Sequence, residues 1–201
     1  MIDQTIAYTI GDRCYLSITD RCTLACKFCP KTQGSMQVHE YDLTFNHRPD
    51  TDEIIAAIGD VSDYSWIVFC GFGEPTLRLK TLLEVSDYIK QRGGRVRLNT
   101  DGLANLVHRR NVIPELAECI DAMSVSLNAQ NEPIYNLHCA PALEHSWQAM
   151  LDFLELASVS IPHVTATAIN GLAGVDIAAC RSLAKQRGVK FFRQRELDLV
   201  G

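Results

Sequence analysis

The chain has no apolar run long enough to cross a bilayer as a helix. Its first segment, Met1 to Arg13, has no apolar core behind basic residues of the kind a secretory leader carries. Both absences point to a cytoplasmic protein with no membrane partner. Also missing is a second Cys-x2-Cys pair, which a four-ligand zinc site of the two-pair type requires. No linker or low-complexity tract divides the chain, so residues 1–201 are expected to form a single core domain. Strong charge of either sign is absent too. The formal net charge is −5, so the surface as a whole does not attract polyanions. A local basic patch such as Arg92, Arg95 and Arg97 keeps nucleic acid open, although a solvated helix end and strand edge explains it as well.

What is present is an ordinary globular composition, 47% hydrophobic and 21% charged, on a chain long enough for a sizeable core. Eight cysteines outside a secretory context read as metal ligands and core thiols rather than disulfides. Cys14, Cys70, Cys119, Cys139 and Cys180 are scattered, which suits core packing and gives no sign of an auxiliary cluster. Cys22, Cys26 and Cys29 differ: their C-x3-C-x2-C spacing lets three thiolates converge on one point. Thiolates are the ligands of iron–sulfur clusters. Three of them on a [4Fe–4S] cube would leave one iron for a small molecule. A zinc site with His39 or His47 as fourth ligand, or three unrelated buried cysteines, are the competing readings.

Strand-like and helix-like segments alternate along the sequence. Apolar strand candidates are 14–19, 66–70, 96–99, 122–127, 163–169 and 189–193. Helical patterns cover 52–61, 79–91, 113–119, 146–157 and 177–186, with Gly93-Gly94 and Gly188 as stop signals and Asp176 as an N-cap. The strands read as apolar runs covered on both faces. This pattern predicts an α/β fold, a partial (β/α)6 barrel of parallel strands. The long irregular stretch 30–49 follows the cysteines and is either a cap over them or a surface excursion.

Chemistry in parallel barrels sits at the C-terminal ends of the strands. A polar motif falls at each such end: the cysteine loop, Gly71-Phe72-Gly73-Glu74-Pro75-Thr76, Asn99-Thr100-Asp101-Gly102, Ser126-Leu127-Asn128-Ala129, Asn170 to Gly174, and Arg193-Gln194-Arg195-Glu196. His138, His145 and His163 stand without a ligand partner at useful spacing and read as structural or solvent-facing.

The cysteine spacing, with aromatic Phe28 before the third cysteine, resembles the radical S-adenosylmethionine (radical SAM) superfamily. The resemblance implies a [4Fe–4S] cluster on Cys22, Cys26 and Cys29, with SAM on the open iron and Phe28 beside the adenine. Gly73-Glu74-Pro75 resembles the family's GGEP motif, with Glu74 and the backbone at Gly73 receiving the SAM amino group. Phe72 stands where the family's first glycine would be. Asn99 and Thr100 resemble its third-strand contacts to the SAM carboxylate or ribose, and Ser126 and Asn128 its fourth-strand ribose contacts. An ordinary Asp-Gly turn accounts for the third-strand stretch almost as well, and internal hydrogen bonds account for Ser126 and Asn128 about as well. The segment 169–174 resembles the strand lining the adenine. Arg193 and Arg195 alternate with Gln194, so one set should face inward, and an inward Arg193 would bind the SAM carboxylate; surface exposure is the other reading.

What the resemblance implies is reductive cleavage of SAM and hydrogen abstraction, fed by a donor such as flavodoxin or ferredoxin. The run 124–130 and the short length look most like the TatD-associated radical SAM proteins. A bare six-strand core is open along one side, which suits an RNA nucleotide or a peptide; a small molecule under a lid formed by 30–49 is the alternative. The rival from another class is a non-catalytic binding protein stabilised by zinc or an iron–sulfur loop.

Overall fold

The computed structural model describes residues 4–197. Its strands are β1 (Ala7–Ile10), β2 (Arg13–Leu16), β3 (Gln37–Val38), β4 (Tyr41–Asp42), β5 (Trp66–Phe69), β6 (Val96–Thr100), β7 (Ala122–Ser126), β8 (His163–Asn170) and β9 (Phe191–Glu196). The helices are α1 (Thr51–Ile58), α2 (Leu79–Gln91), α3 (Ala104–His108), α4 (Ile113–Cys119), α5 (Glu132–Cys139), α6 (Ser146–Ser160) and α7 (Ile177–Gln186). One sheet runs β1-β2-β5-β6-β7-β8-β9. All neighbours pair in parallel except β1 and β2. The six parallel strands are those expected, with helices between them: a partial (β/α)6 barrel.

The seventh strand was not foreseen. Ile10 pairs with Arg13 across Gly11-Asp12, so β1 and β2 form a hairpin with a two-residue turn. Gly11 takes φ +63, which a residue with a Cβ adopts reluctantly. The first parallel strand therefore begins at Arg13 and stops at Leu16, while the last starts at Phe191 rather than Val189. Helix ends follow local chemistry. α1 starts at a capping box in which Asp50 accepts from Glu53 N–H and the Glu53 carboxylate accepts from Asp50 N–H. It ends at Gly59, before the expected Val61. Asp176 caps α7 by accepting from Ala179 N–H, and Gly93 and Gly188 follow their helices with φ +76 and +78.

The strands are not covered alike on both faces. Outward residues such as Leu16, Phe69, Leu98 and Val125 are fully buried in one core with Leu82 and Ile89 of α2 and Phe153 and Leu154 of α6. Inward residues are largely polar: Tyr15, Arg97, Asn99, Ser124, Ser126, Thr167, Arg193 and Arg195 line a cavity. The expectation of apolar runs on both faces is corrected accordingly: β6 alternates buried and half-buried residues along its length.

The stretch after the cysteines is ordered rather than irregular. A short 3-10 turn, Pro30–Gln33, leads into the β3–β4 hairpin. Val38 and Leu43 pack with Tyr8 and Phe72 in a second, smaller core. Tyr41 Oη donates to Thr9 O at 3.1 Å, fixing the hairpin against β1. Among the described residues no helix is long and apolar enough to cross a membrane.

Candidate functional site

A cavity of about 470 Å³ fills the barrel interior and is lined from all seven strands of the main sheet and from the loops at their C-terminal ends. Cys22, Cys26, Phe28 and Cys29 form part of its wall, as does the later segment through Pro30, Val38 and His39.

The cysteine loop is held from two sides. The end of α5 supplies backbone partners: Lys27 N–H donates to His138 O at 2.9 Å and Ala25 N–H to Cys139 O at 3.1 Å. Ala142 N–H donates to Thr23 O at 3.0 Å, and Leu24 pairs with Pro141. On the other side Glu74 N–H donates to Arg21 O at 2.7 Å. Here Gly73 has its reason. A Cβ added to it would lie 2.0 Å from Thr19 O and 2.8 Å from Arg21 O. The glycine lets two rim loops touch backbone to backbone, and it also lines the cavity.

Desolvation on the cavity wall pushes the Cys22 thiol up to about 12, with the nearby Asp101 charge adding to it, although the residue as a whole is exposed. Cys26 is pushed up foremost by a hydrogen bond with the Cys139 thiol and then by burial. Such thiols stay neutral until a cation draws off their protons. Among the described residues no three His, Cys, Asp or Glu side chains gather closely enough to hold one metal ion. Of the two histidines considered for zinc, His39 lies on the wall, while His47 Nε2 is 2.7 Å from Glu53 Oε1.

Glu74 is buried and takes four protein donors. Oε1 accepts from Thr76 N–H (3.0 Å), Thr76 Oγ1 (2.7 Å) and Thr100 Oγ1 (2.8 Å), and Oε2 accepts from Asp101 N–H (2.7 Å). It thus joins the rim loops after β5 and β6, and its carboxylate still faces the cavity. Burial, then the Asp101 charge, pushes it up to about 8. Asp101, also buried, is raised by burial; it accepts from Leu103 N–H at 2.9 Å and from the Thr23 hydroxyl in the cysteine loop. One buried carboxyl pair therefore ties three rim loops together.

The other expected site residues divide. Asn99, Ser126 and Asn128 line the cavity. The Oδ1 atoms of Asn99 and Asn128 are buried with no hydrogen-bond partner, although Asn128 Nδ2 reaches Cys139 Sγ at 3.6 Å. Buried polar atoms left this way want a donor from a ligand. Thr100 also reaches the cavity, with its hydroxyl given to Glu74. Pro75 is buried at the first position of a short 3-10 turn and is not on the wall. Both arginines of β9 line the cavity: Arg193 is exposed, while Arg195 is half-buried with Cys70 and Cys29 nearby. Asn170 to Gly174 is not on the wall; Asn170 bonds Glu196 at 2.9 Å, and Ala173 O lies 2.7 Å from His138 Nε2.

Sequence reasoning did not single out Asp101, Cys70 or the inward Arg13 and Arg97 as site residues, whereas it offered Arg193 and Arg195 together as an inward set, and both line the cavity. For Arg97 the signal was available, because it shares the inward parity of Asn99 two residues later. For Asp101 it was hidden, since an Asp-Gly pair reads as a plain turn.

A parallel barrel with a three-cysteine loop and a buried carboxylate at its rim defines a class of proteins, and the family model of the radical SAM superfamily matches residues 16–185. The chain belongs to the radical SAM superfamily, whose members use a [4Fe–4S] cluster and SAM. The "Probable dual-specificity RNA methyltransferase RlmN" of Synechococcus sp. (strain CC9311) is 25% identical over 162 residues, covering 74% of this chain and 44% of that protein. The chain thus spans less than half the length of this curated relative. Similar solved structures include TYW1 with a lysine-pyruvate adduct bound (TM-score 0.65, 14% identity, 92% of this chain and 64% of that one). Another is Streptococcus suis SuiB bound to S-adenosylmethionine (TM-score 0.66, 11% identity, 91% of this chain and 40% of that one).

Proposed function

We propose that the cavity holds a [4Fe–4S] cluster on Cys22, Cys26 and Cys29 with SAM beside it, and that the protein uses them to abstract hydrogen from a substrate. The observation that carries this is the meeting, on one cavity, of three thiols, a buried carboxylate and two partnerless amide oxygens. The donor set fits the groups. Thiolates suit iron, and a carboxylate and amide oxygens suit an ammonium and ribose hydroxyls. When bound, the reduced cluster supplies the electron that splits the SAM sulfonium to a 5′-deoxyadenosyl radical.

The chain's own residues bind and orient. Glu74 Oε2, with one protein donor, has room for the SAM amino group, while its other bonds keep the rim loops rigid. Asn99 Oδ1, Asn128 Oδ1 and the Ser126 hydroxyl, all on the cavity wall, would receive the ribose hydroxyls, and Phe28 would flank the adenine. Arg195, rather than the Arg193 first expected, lines the cavity near its rim with Cys29 on the same wall and suits the SAM carboxylate. The segment 30–49 completes the wall and keeps water from the radical. The electron comes from a donor such as flavodoxin or ferredoxin in the cytoplasm. An RNA nucleotide is the substrate class we favour; the RNA-methyltransferase relative supports it.

The test is anaerobic reconstitution with iron and sulfide. About four irons per chain, followed by release of 5′-deoxyadenosine on reduction with SAM, is the expected result. One zinc per chain and no 5′-deoxyadenosine would overturn the reading in favour of a zinc-stabilised binding protein.

A further inference from the structure

The cavity has two electrically different ends. Glu74, Asp101 and the three cysteines gather at the rim. Lower in the barrel stand Arg13 at the first position of β2, Arg97 in β6 and Arg193 in β9, all lining the same space. Arg97 lies two residues before Asn99 and Arg193 two before Arg195, which at strand rise puts them roughly 7 Å below those rim residues.

These cations have little of their own to neutralise them. Among the described residues no carboxylate lies within ion-pair distance of Arg97 or Arg193, and Arg13 meets only Asp12, its neighbour in an exposed turn, at 3.7 Å. Arg97 Nε is buried without a hydrogen-bond partner, and its guanidinium lies 5.3 Å over the Trp66 ring. Burial lowers its pKa, and the charges of Arg13 and Arg193 on the same cavity lower it further. Guanidinium groups gathered with open donors and no counter-charge are suited to a planar or tetrahedral oxyanion.

We propose that Arg13, Arg97 and Arg193 form an oxyanion-binding subsite on the cavity floor, and that the substrate carries a phosphate or carboxylate group seated there. Only the identification of the anion's bearer as the substrate rests on the function proposed above. The separation of charge then orders the site: ammonium and metal ligands at the rim, the substrate's anion at the floor, and the hydrogen to be removed between them.

Calorimetric titration of the reconstituted protein with pyrophosphate and with malonate, at constant ionic strength in chloride, tests the subsite. At least one of the two should bind at a single site per chain. Arg97→Gln and Arg193→Gln should each weaken that binding at least tenfold and leave SAM affinity within twofold. Tighter binding of pyrophosphate assigns the subsite to a phosphate-bearing substrate such as a nucleotide; tighter binding of malonate assigns it to a carboxylate-bearing one such as a peptide. Arg193 is exposed on an edge strand, so its variant carries the test should Arg97→Gln fail to fold. The subsite is overturned if neither anion binds beyond chloride, if Arg193→Gln binds like the parent, or if SAM displaces the anion, which would give the arginines to the cofactor's carboxylate. Anion binding with no iron uptake would overturn the proposed function and leave the subsite standing.

Discussion

Glu74 Oε2 accepts the Asp101 backbone N–H at 2.7 Å, so the loops after β5 and β6 meet through one buried carboxylate. Its Oε1 takes three further donors from Thr76 and Thr100. This residue is therefore structural as well as a candidate SAM contact. Buried donors stripped of their acceptor cost about 1–3 kcal/mol each, and relaxation recovers part of that. Glu74→Ala should lose about 3–5 kcal/mol of stability in urea unfolding, at the exceptional end of single substitutions, and should bind SAM more weakly even where folded. Unchanged stability would mean the four bonds do not form.

The same pair sets a pH dependence. Burial raises both carboxyls, and the Asp101 charge adds to the rise at Glu74, which reaches about 8 from an unfolded value of 4.5. Between those values the folded state holds a proton that the unfolded state has released. Stability should therefore fall as pH rises from about 5 to 8, by at most about 1.4 kcal/mol per unit for one proton. Glu74→Gln should flatten that slope in the cluster-free protein. A melting temperature that climbs over this interval would show the pair to be ionised throughout.

The thiol assignment has its own test. Cys22→Ala, Cys26→Ala and Cys29→Ala should each lose visible iron–sulfur absorption after reconstitution, because two thiolates hold a cube poorly. Cys180→Ala, deep in the helix layer, should keep it. Full iron and sulfide in Cys22→Ala would remove Cys22 from the ligands.

How much of this could be read beforehand depended on how local its cause was. The six parallel strands and the caps at Asp176 and Gly188 follow from apolar runs and single residues, and all are present, the first and last strands with shifted ends. β1 escaped because four residues around Tyr8 and Thr9 carry little signal until they pair with β2. α5 escaped because Asn131 and Pro133 look like a turn, although they are the N-cap and an early position of a helix. Glu74 and Gly73 were recognised as site residues, but their protein partners lie across the fold. Thr100 is twenty-six residues from Glu74 in sequence, and the neighbour that excludes a Cβ at Gly73 is the Thr19 carbonyl. Only the folded chain brings these together.

Phe72 occupies the place where the resembling motif has a glycine, and its surroundings say what it does instead. It packs with Tyr8, Val38 and Leu43, so it anchors the segment 30–49 to β1 and to the rim. Truncating a buried phenylalanine usually costs about 3–5 kcal/mol. Here much of the loss should be local, because this small core is separate from the main one. Phe72→Ala should open the segment to trypsin at Lys31 and Arg48 well below the temperature of global melting. Phe72→Leu should restore most of the protection. If the segment serves as a wall that keeps water from the radical, Phe72→Ala should also produce more 5′-deoxyadenosine per substrate turned over, read by chromatography of the same reaction. Protection equal to the parent's in Phe72→Ala would show that the hairpin is held by Tyr41 and its bond to Thr9 alone.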